Sequence, residues 1–270
     1  MKKILYTLPI ILVLSMVSCD VIDSDNIFEP IENDTTVVDQ KRVILLEEFT
    51  GNRCPNCPKA AIEAEKLMTM FPEQIVLIAI HAGFYAQPLP PLGYTEDFRT
   101  DVGNELLDYY GIQAFPKGVI NRSQFNGSYA LDHGEWEAVI SELAQQNSVV
   151  DIKIDASYDA TTRNASVTVN TTTSEIDAAN IKLCVYLTEN NLICKQANGS
   201  EEVEDYPHDH VLRASFNGTW GENINLGKDS KNYNLTINEN WNPDNCQVVA
   251  FVYRDDDKSV YQAFQVNLTR

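Results

Sequence analysis

An α/β unit followed by an all-β antiparallel sandwich is the fold class the sequence predicts, and three observations carry it. Residues 43–80 read as a buried strand, an amphipathic helix and a second buried strand. From residue 148 onward the apolar residues recur with a period of two. The length, 270 residues, exceeds one small α/β unit and suits two domains of ordinary size.

The first 18 residues begin with Lys2 and Lys3 and continue into an apolar stretch, 4–17, too short to span a bilayer stably as a helix. This reads as a secretory signal peptide. Its end, Leu14-Ser15-Met16-Val17-Ser18-Cys19, resembles a bacterial lipobox, which implies that a lipidated Cys19 becomes the first mature residue. Acyl chains contribute about 0.8 kcal/mol per buried methylene, so two or more of them hold a protein firmly on a membrane. Residues 19–41 read as that cysteine and an acidic linker; residues 20–40 carry seven acidic and no basic side chains, the mark of a solvated tether. The net charge of −19 and pI near 4.5 exclude nucleic acid as a partner and argue against electrostatic adhesion to anionic lipid.

Residues 42–147 form the α/β unit. The nearly continuous apolar run 43–49 is that of a central strand. Ala61, Ala64, Leu67, Met68 and Phe71 follow at helical spacing until Pro72 ends the helix, and residues 75–80 form the next strand. The insert 81–94 is irregular, with Pro88, Pro90 and Pro91. Phe98, Val102, Leu106 and Tyr110 mark a second helix stopped by Gly111. A turn through 111–116 leads to a third strand, and Asn126-Gly127 predicts a tight hairpin to a short fourth near 128–131. Asp132 and Glu135 suit a capping box ahead of the helix face Trp136, Val139, Ile140 and Leu143.

Residues 148–270 form the sandwich. Val150, Ile152 and Ile154 alternate with polar residues, as do 181–187, 212–216, 233–237 and 260–268, whereas 246–253 is apolar on both faces and reads as a central strand.

The chemistry concentrates at Cys54-Pro55-Asn56-Cys57, between the first strand and the first helix. A helix dipole and its unpaired amides stabilise a thiolate there, the neighbouring Arg53 favours the same outcome, and Pro55 suits a first helical position. With Cys19 at the anchor, Cys54, Cys57, Cys184, Cys194 and Cys246 remain, an odd number, so at least one is free or pairs between chains. Export places them where disulfides form. Cys184 and Cys194 do not fall opposite each other in a simple hairpin register, and Cys246 remains a candidate partner for either. A zinc site would need a second ligand pair beside the C-x-x-C, and none has the spacing, so no metal and no cofactor beyond a redox-active Cys54–Cys57 disulfide is expected. His208 and His210 would share one strand face without a third ligand, and His81 follows the second strand; for all three a structural role is the preferred reading.

Strand, C-x-x-C, helix and the Ile112-to-Pro116 turn about 60 residues later together resemble a thioredoxin-fold domain over residues 43–146. The resemblance implies that Cys54 is the nucleophile and Cys57 the resolving thiol. It places Pro116 at a cis-proline position, where Phe115 would present its backbone and side chain to a substrate beside Arg53. Glu48 matches a buried acid that moves a proton to or from the second cysteine, the alternative being that Glu47 or Glu48 points to solvent at a strand end. Pro58 departs from the pattern by removing one more amide of the first turn.

The segments Leu46-Glu47-Glu48-Phe49-Thr50-Gly51 and His208-Asp209-His210-Val211-Leu212-Arg213, the latter leading to Gly218-Thr219-Trp220-Gly221, resemble the outer membrane protein 28-related lipoproteins. That likeness implies a lipidated tether, a thioredoxin-like domain and a β-domain in the bacterial cell envelope, at the outer membrane. Two functions follow. In one, the dithiol exchanges with protein thiols and disulfides through a mixed disulfide. In the other, an adhesin-like module for binding or assembling envelope proteins uses the thioredoxin-like part as a non-catalytic scaffold. An exposed Cys54 in an open groove would favour the first, and a groove plugged by the β-domain or by the insert 81–94 the second.

Overall fold

The computed structural model describes residues 40–174, 176 and 180–269. The signal segment, Cys19 and nearly all of the linker lie outside the described residues. The N-terminal elements follow the apolar pattern closely. β1 (Gln40–Lys41) precedes β2 (Ile44–Thr50), every residue of which is buried, then α1 (Cys57–Met70) and β3 (Ile75–His81). β2 and β3 run parallel, from Ile44 opposite Ile75 to Thr50 opposite His81. α2 (Asp101–Tyr109) starts at Thr100, whose hydroxyl accepts from the Gly103 amide at 2.9 Å. β4 (Lys117–Ile120) lies antiparallel to the other edge of β2.

The Asn126-Gly127 turn is present, both residues having positive φ, but it closes on single bridges, Phe125 with Ser128 and Gly118 with Leu131. The expected fourth strand near 128–131 is therefore reduced to two isolated bridges. Asp132 and Glu135 form the capping box that opens the approach to α3 (Trp136–Leu143).

β5 (Asn147–Ser148) pairs with β1, and a run of strands follows: β6 (Val150–Asp159), β7 (Asn164–Thr173), β8 (Ile181–Glu189), β9 (Leu192–Asn198), β10 (Glu201–His208), β11 (Val211–Ser215), β12 (Glu222–Asn223), β13 (Lys228–Thr236), β14 (Cys246–Arg254) and β15 (Val260–Asn267). As the sequence pattern requires, β14 is central, flanked by β8 and β15 and almost wholly buried.

The expected fold class, an α/β thioredoxin-like domain followed by a separate antiparallel sandwich, is overturned. The protein is mostly β, and its largest sheet, ordered β15-β14-β8-β11-β3-β2-β4, draws strands from both halves of the chain. β11 lies beside β3, where the Ala79 amide donates to the His210 carbonyl at 2.8 Å. A three-stranded sheet, β13-β7-β6, covers one face at the C-terminal end, with Val150, Ile152, Val167 and Val169 packed against Leu183, Val185, Val248 and Ala250.

Physical continuity follows from the two faces of β2. Ile44 and Leu46 pack with Ala60, Ala64, Leu67, Trp136 and Ile140 of the helical layer. Leu45 and Phe49 join Tyr186, Phe251, Tyr253 and Val260 from the C-terminal strands in one core. Burial on both faces produced the continuous apolar run read at residues 43–49. That signal says that both faces are covered without saying by what, and here the second cover comes from the C-terminal half.

Candidate functional site

β2 delivers two adjacent carboxylates to opposite faces of the sheet. Glu47 points into the core shared by the two halves, where Arg122 clasps it: Nη2 donates to Oε1 at 2.6 Å and Nε to Oε2 at 3.0 Å. Both side chains are fully buried, and the same Nη2 donates to the Tyr186 hydroxyl at 3.2 Å. Glu48 points the other way, toward α1. Neither is at a solvent-facing strand end.

After β2 the chain turns at Gly51. A Cβ there would lie 2.6–2.8 Å from backbone atoms of Tyr85 and Ala86, so only glycine allows this approach. The Arg53 amide donates to the Tyr85 carbonyl at 3.0 Å, and its guanidinium donates to the Gln87 carbonyl at 3.0 Å and lies 4.6 Å from the Phe84 ring centroid. Arg53 is thus engaged with the insert that walls one side of the C-x-x-C loop. Phe115 packs edge-on against Tyr85 at 5.7 Å, and the Phe115–Pro116 peptide bond is cis.

Cys54 and Cys57 are joined in a disulfide, 1% and 2% exposed. Cys57 opens α1, and Cys54 does not stand exposed in an open groove. The β9–β10 hairpin lies over the loop: the Ala197 amide donates to the Asn52 carbonyl at 2.9 Å, and the Gly199 amide to the Pro55 carbonyl at 2.8 Å. Between them the buried Gln196 side chain donates through Nε2 to the carbonyls of Cys54 (2.9 Å) and Gly51 (3.4 Å). Gln196 was not singled out in the sequence; nothing local marks a β-strand glutamine as the cap of a loop 140 residues away.

Beneath the hairpin, Cys57 borders a cavity of about 320 Å³ whose lining includes Glu48, Glu65, His81, Tyr206, His208 and His210. Burial, reinforced by the nearby Glu65 carboxylate, raises the Glu48 carboxyl to about 8, and its Oε1 has no hydrogen-bond partner among the described residues. Burial also pushes His81 well below the ordinary histidine range, helped by the fields of His208 and Arg213. His208 falls to about 4 through burial, partly opposed by Asp209 and by a hydrogen bond to the Cys194 carbonyl. The His208 Nε2 is buried without a hydrogen-bond partner among the described residues. Glu65 is held below the usual carboxylate range by its hydrogen bond with His210, 3.5 Å away.

His81, His208 and His210 therefore meet at one cavity. The ring centroids of His81 and His208 are 5.3 Å apart. His208 and His210 flank the turn between β10 and β11 and do not share a strand face, which corrects the reading of them as a strand-borne pair. Cys184, Cys194 and Cys246 are free thiols, raised to about 11, 12 and 12, in each case chiefly by burial. Cys184 and Cys246 sit opposite Phe251 and Glu189 in the ladder between β8 and β14, and none of the pairings left open in the sequence forms.

The model of the outer membrane protein Omp28 family matches residues 103–270. No curated protein matches the chain. Among solved structures, HBP35 of Porphyromonas gingivalis superposes with a TM-score of 0.68 at 18% identity, covering 85% of this chain and 76% of that one. At that identity the likeness is one of fold. A domain of the outer membrane lipoprotein Omp28 from Porphyromonas gingivalis matches with a TM-score of 0.35 at 24% identity, covering 45% of this chain and 89% of that one.

Proposed function

The chain belongs to the outer membrane protein Omp28 family, and on that premise we propose that it is a binding or assembly module whose Cys54–Cys57 disulfide serves the fold. The family places it in the cell envelope, in association with the outer membrane. Lipidation of Cys19 and the acidic linker would hold the module away from the membrane surface, leaving envelope proteins as its natural partners.

One observation carries the reading: the β9–β10 hairpin seals the C-x-x-C loop, leaving both sulfurs essentially without solvent contact. Exchange requires a thiolate to reach a disulfide sulfur in line, and a disulfide covered by a hairpin hydrogen-bonded through Gln196, Ala197 and Gly199 offers no such approach to a protein thiol. The raised Glu48 carboxyl beside Cys57 supports a second reading. There, Cys54 and Cys57 exchange with protein thiols after the hairpin opens, Glu48 serves the Cys57 proton, and Arg53, Phe115 and Pro116 meet the substrate.

An insulin-reduction assay separates the two. The module reading expects the wild type to match a Cys54→Ser variant, both at the rate of the uncatalysed control. Turnover by the wild type that Cys54→Ser abolishes would overturn it in favour of gated exchange.

A further inference from the structure

The cavity beneath the hairpin is chemically one-sided. Glu48 and Glu65 contribute carboxyl groups from β2 and α1, and Asp209 a third from the turn after β10, yet no lysine or arginine lines it. Four buried side-chain atoms of its lining residues have no hydrogen-bond partner among the described residues: Glu48 Oε1, His81 Nδ1, His208 Nε2 and His210 Nδ1. Glu48, His81 and His208 are at most 5% exposed. A neutral imidazole offers one acceptor nitrogen, and an ionised Glu48 is an acceptor only. The wall also carries apolar side chains, Ala61 and Ile62 from α1 and Leu77 and Ala79 from β3, beside the polar Thr50, Gln196 and Tyr206. Glu65 stands at the open side, its side chain 60% exposed.

We propose that this cavity binds a small alkyl diamine, with one ammonium group held by Glu48, His81 and His208 at the buried end and the second beside Glu65 at the mouth. An ammonium presents three donors and no acceptor, which complements a carboxylate and an imidazole lone pair. The volume of about 320 Å³ lies at the small end of ligand pockets, which excludes large cofactors. A metal ion is the poorer fit, since no three His, Cys, Asp or Glu side chains among the described residues are placed to hold one.

Binding must displace the proton from Glu48, because the ammonium stabilises the carboxylate. The other titratable or charged groups facing the cavity or its histidines are Glu65 on α1, His81 on β3, Tyr206 and His208 on β10, Asp209 in the following turn, and His210 and Arg213 at β11. Tyr206 is raised by burial and stays protonated. His81 and His208 are neutral near neutrality, so Glu48 is the buried group whose charge changes.

This inference rests on the module reading only in that the ligand is bound without being transformed; a failed diamine titration would leave the insulin result standing. The test is calorimetric titration of the whole protein with diaminobutane, using butanediol and zinc chloride as comparison probes. Saturable diamine binding with proton release is expected, weakening about tenfold per pH unit below the Glu48 pKa, with no saturation by the diol. Glu48→Gln is expected to weaken diamine binding by at least about tenfold while retaining a cooperative thermal transition. Should that variant not fold, Glu65→Gln provides the same comparison at the mouth. Absence of saturable diamine binding at millimolar concentrations, equal binding of the diol, zinc binding in its place, or undiminished affinity in the folded variants would each overturn the proposal.

Discussion

Arg122→Ala is expected to cost about 3–5 kcal/mol of stability, the range for removing one partner of a buried ion pair. The cost arises because Glu47, fully buried, would be left charged or forced to take a proton with no cation beside it. Arg122 also lies 4.6 Å from the Phe251 ring centroid and donates to Tyr186, so it joins the segment after β4 to β8 and β14 as well as to β2. Its loss should loosen the seam between the two halves of the chain. Urea unfolding followed by tryptophan fluorescence measures the difference. Glu47→Leu combined with Arg122→Leu should recover much of the loss, because a well-packed apolar pair of similar volume avoids the desolvation penalty. A loss below about 1 kcal/mol in Arg122→Ala would mean that the halves do not depend on this contact.

Glu48→Gln is expected to remove the fall in stability that Glu48 contributes between pH 4.5 and about 8. In the unfolded chain the carboxyl releases its proton near 4.5, whereas in the fold it keeps it until about 8. Across that window the native state binds the extra proton, so the Glu48 contribution to stability falls as pH rises, by about 1.4 kcal/mol per unit. Below 4.5 both states are protonated and the full contribution is present; above about 8 it has been lost. The accumulated difference is on the order of several kcal/mol, and the variant, with no proton to lose, should gain on the wild type by that amount. His208 acts in the opposite direction: depressed to about 4, it favours folding above 6.5 and loses that contribution as pH falls toward 4. Wild-type stability should therefore peak at mildly acidic pH. Thermal unfolding of both proteins across the range checks this, and parallel stability curves would contradict a buried, unpartnered Glu48.

Local order was legible in the sequence wherever one short stretch carried its own signal. The two-sided apolar runs gave β2, β3 and β14, the helical spacing gave α1, and Asp132 with Glu135 gave the capping box. The Cys54–Cys57 pairing belongs to the same class, since its partners are three residues apart. Long-range choices were not legible. Nothing in the runs 75–80 and 211–215 states that β3 and β11 lie side by side, so a continuous sheet read as two domains. Glu47 and Glu48 look alike in the sequence, yet strand alternation sends one to Arg122 and the other to an unpaired site. Gln196 was silent for the same reason: its role exists only once β9 crosses the C-x-x-C loop.

The hairpin cap is the claim on which the functional reading depends, and the rate at which a small thiol reduces Cys54–Cys57 in the native protein tests it most directly. If the cap holds, wild-type reduction is limited by opening of the hairpin and is far slower than that of the same disulfide in urea. Gln196→Ala, which removes the donor to the Cys54 and Gly51 carbonyls, should accelerate it by about tenfold, the equivalent of about 1.4 kcal/mol in the opening equilibrium. Native reduction as fast as that of the unfolded chain, unchanged by Gln196→Ala, would show the disulfide to be open and contradict the account.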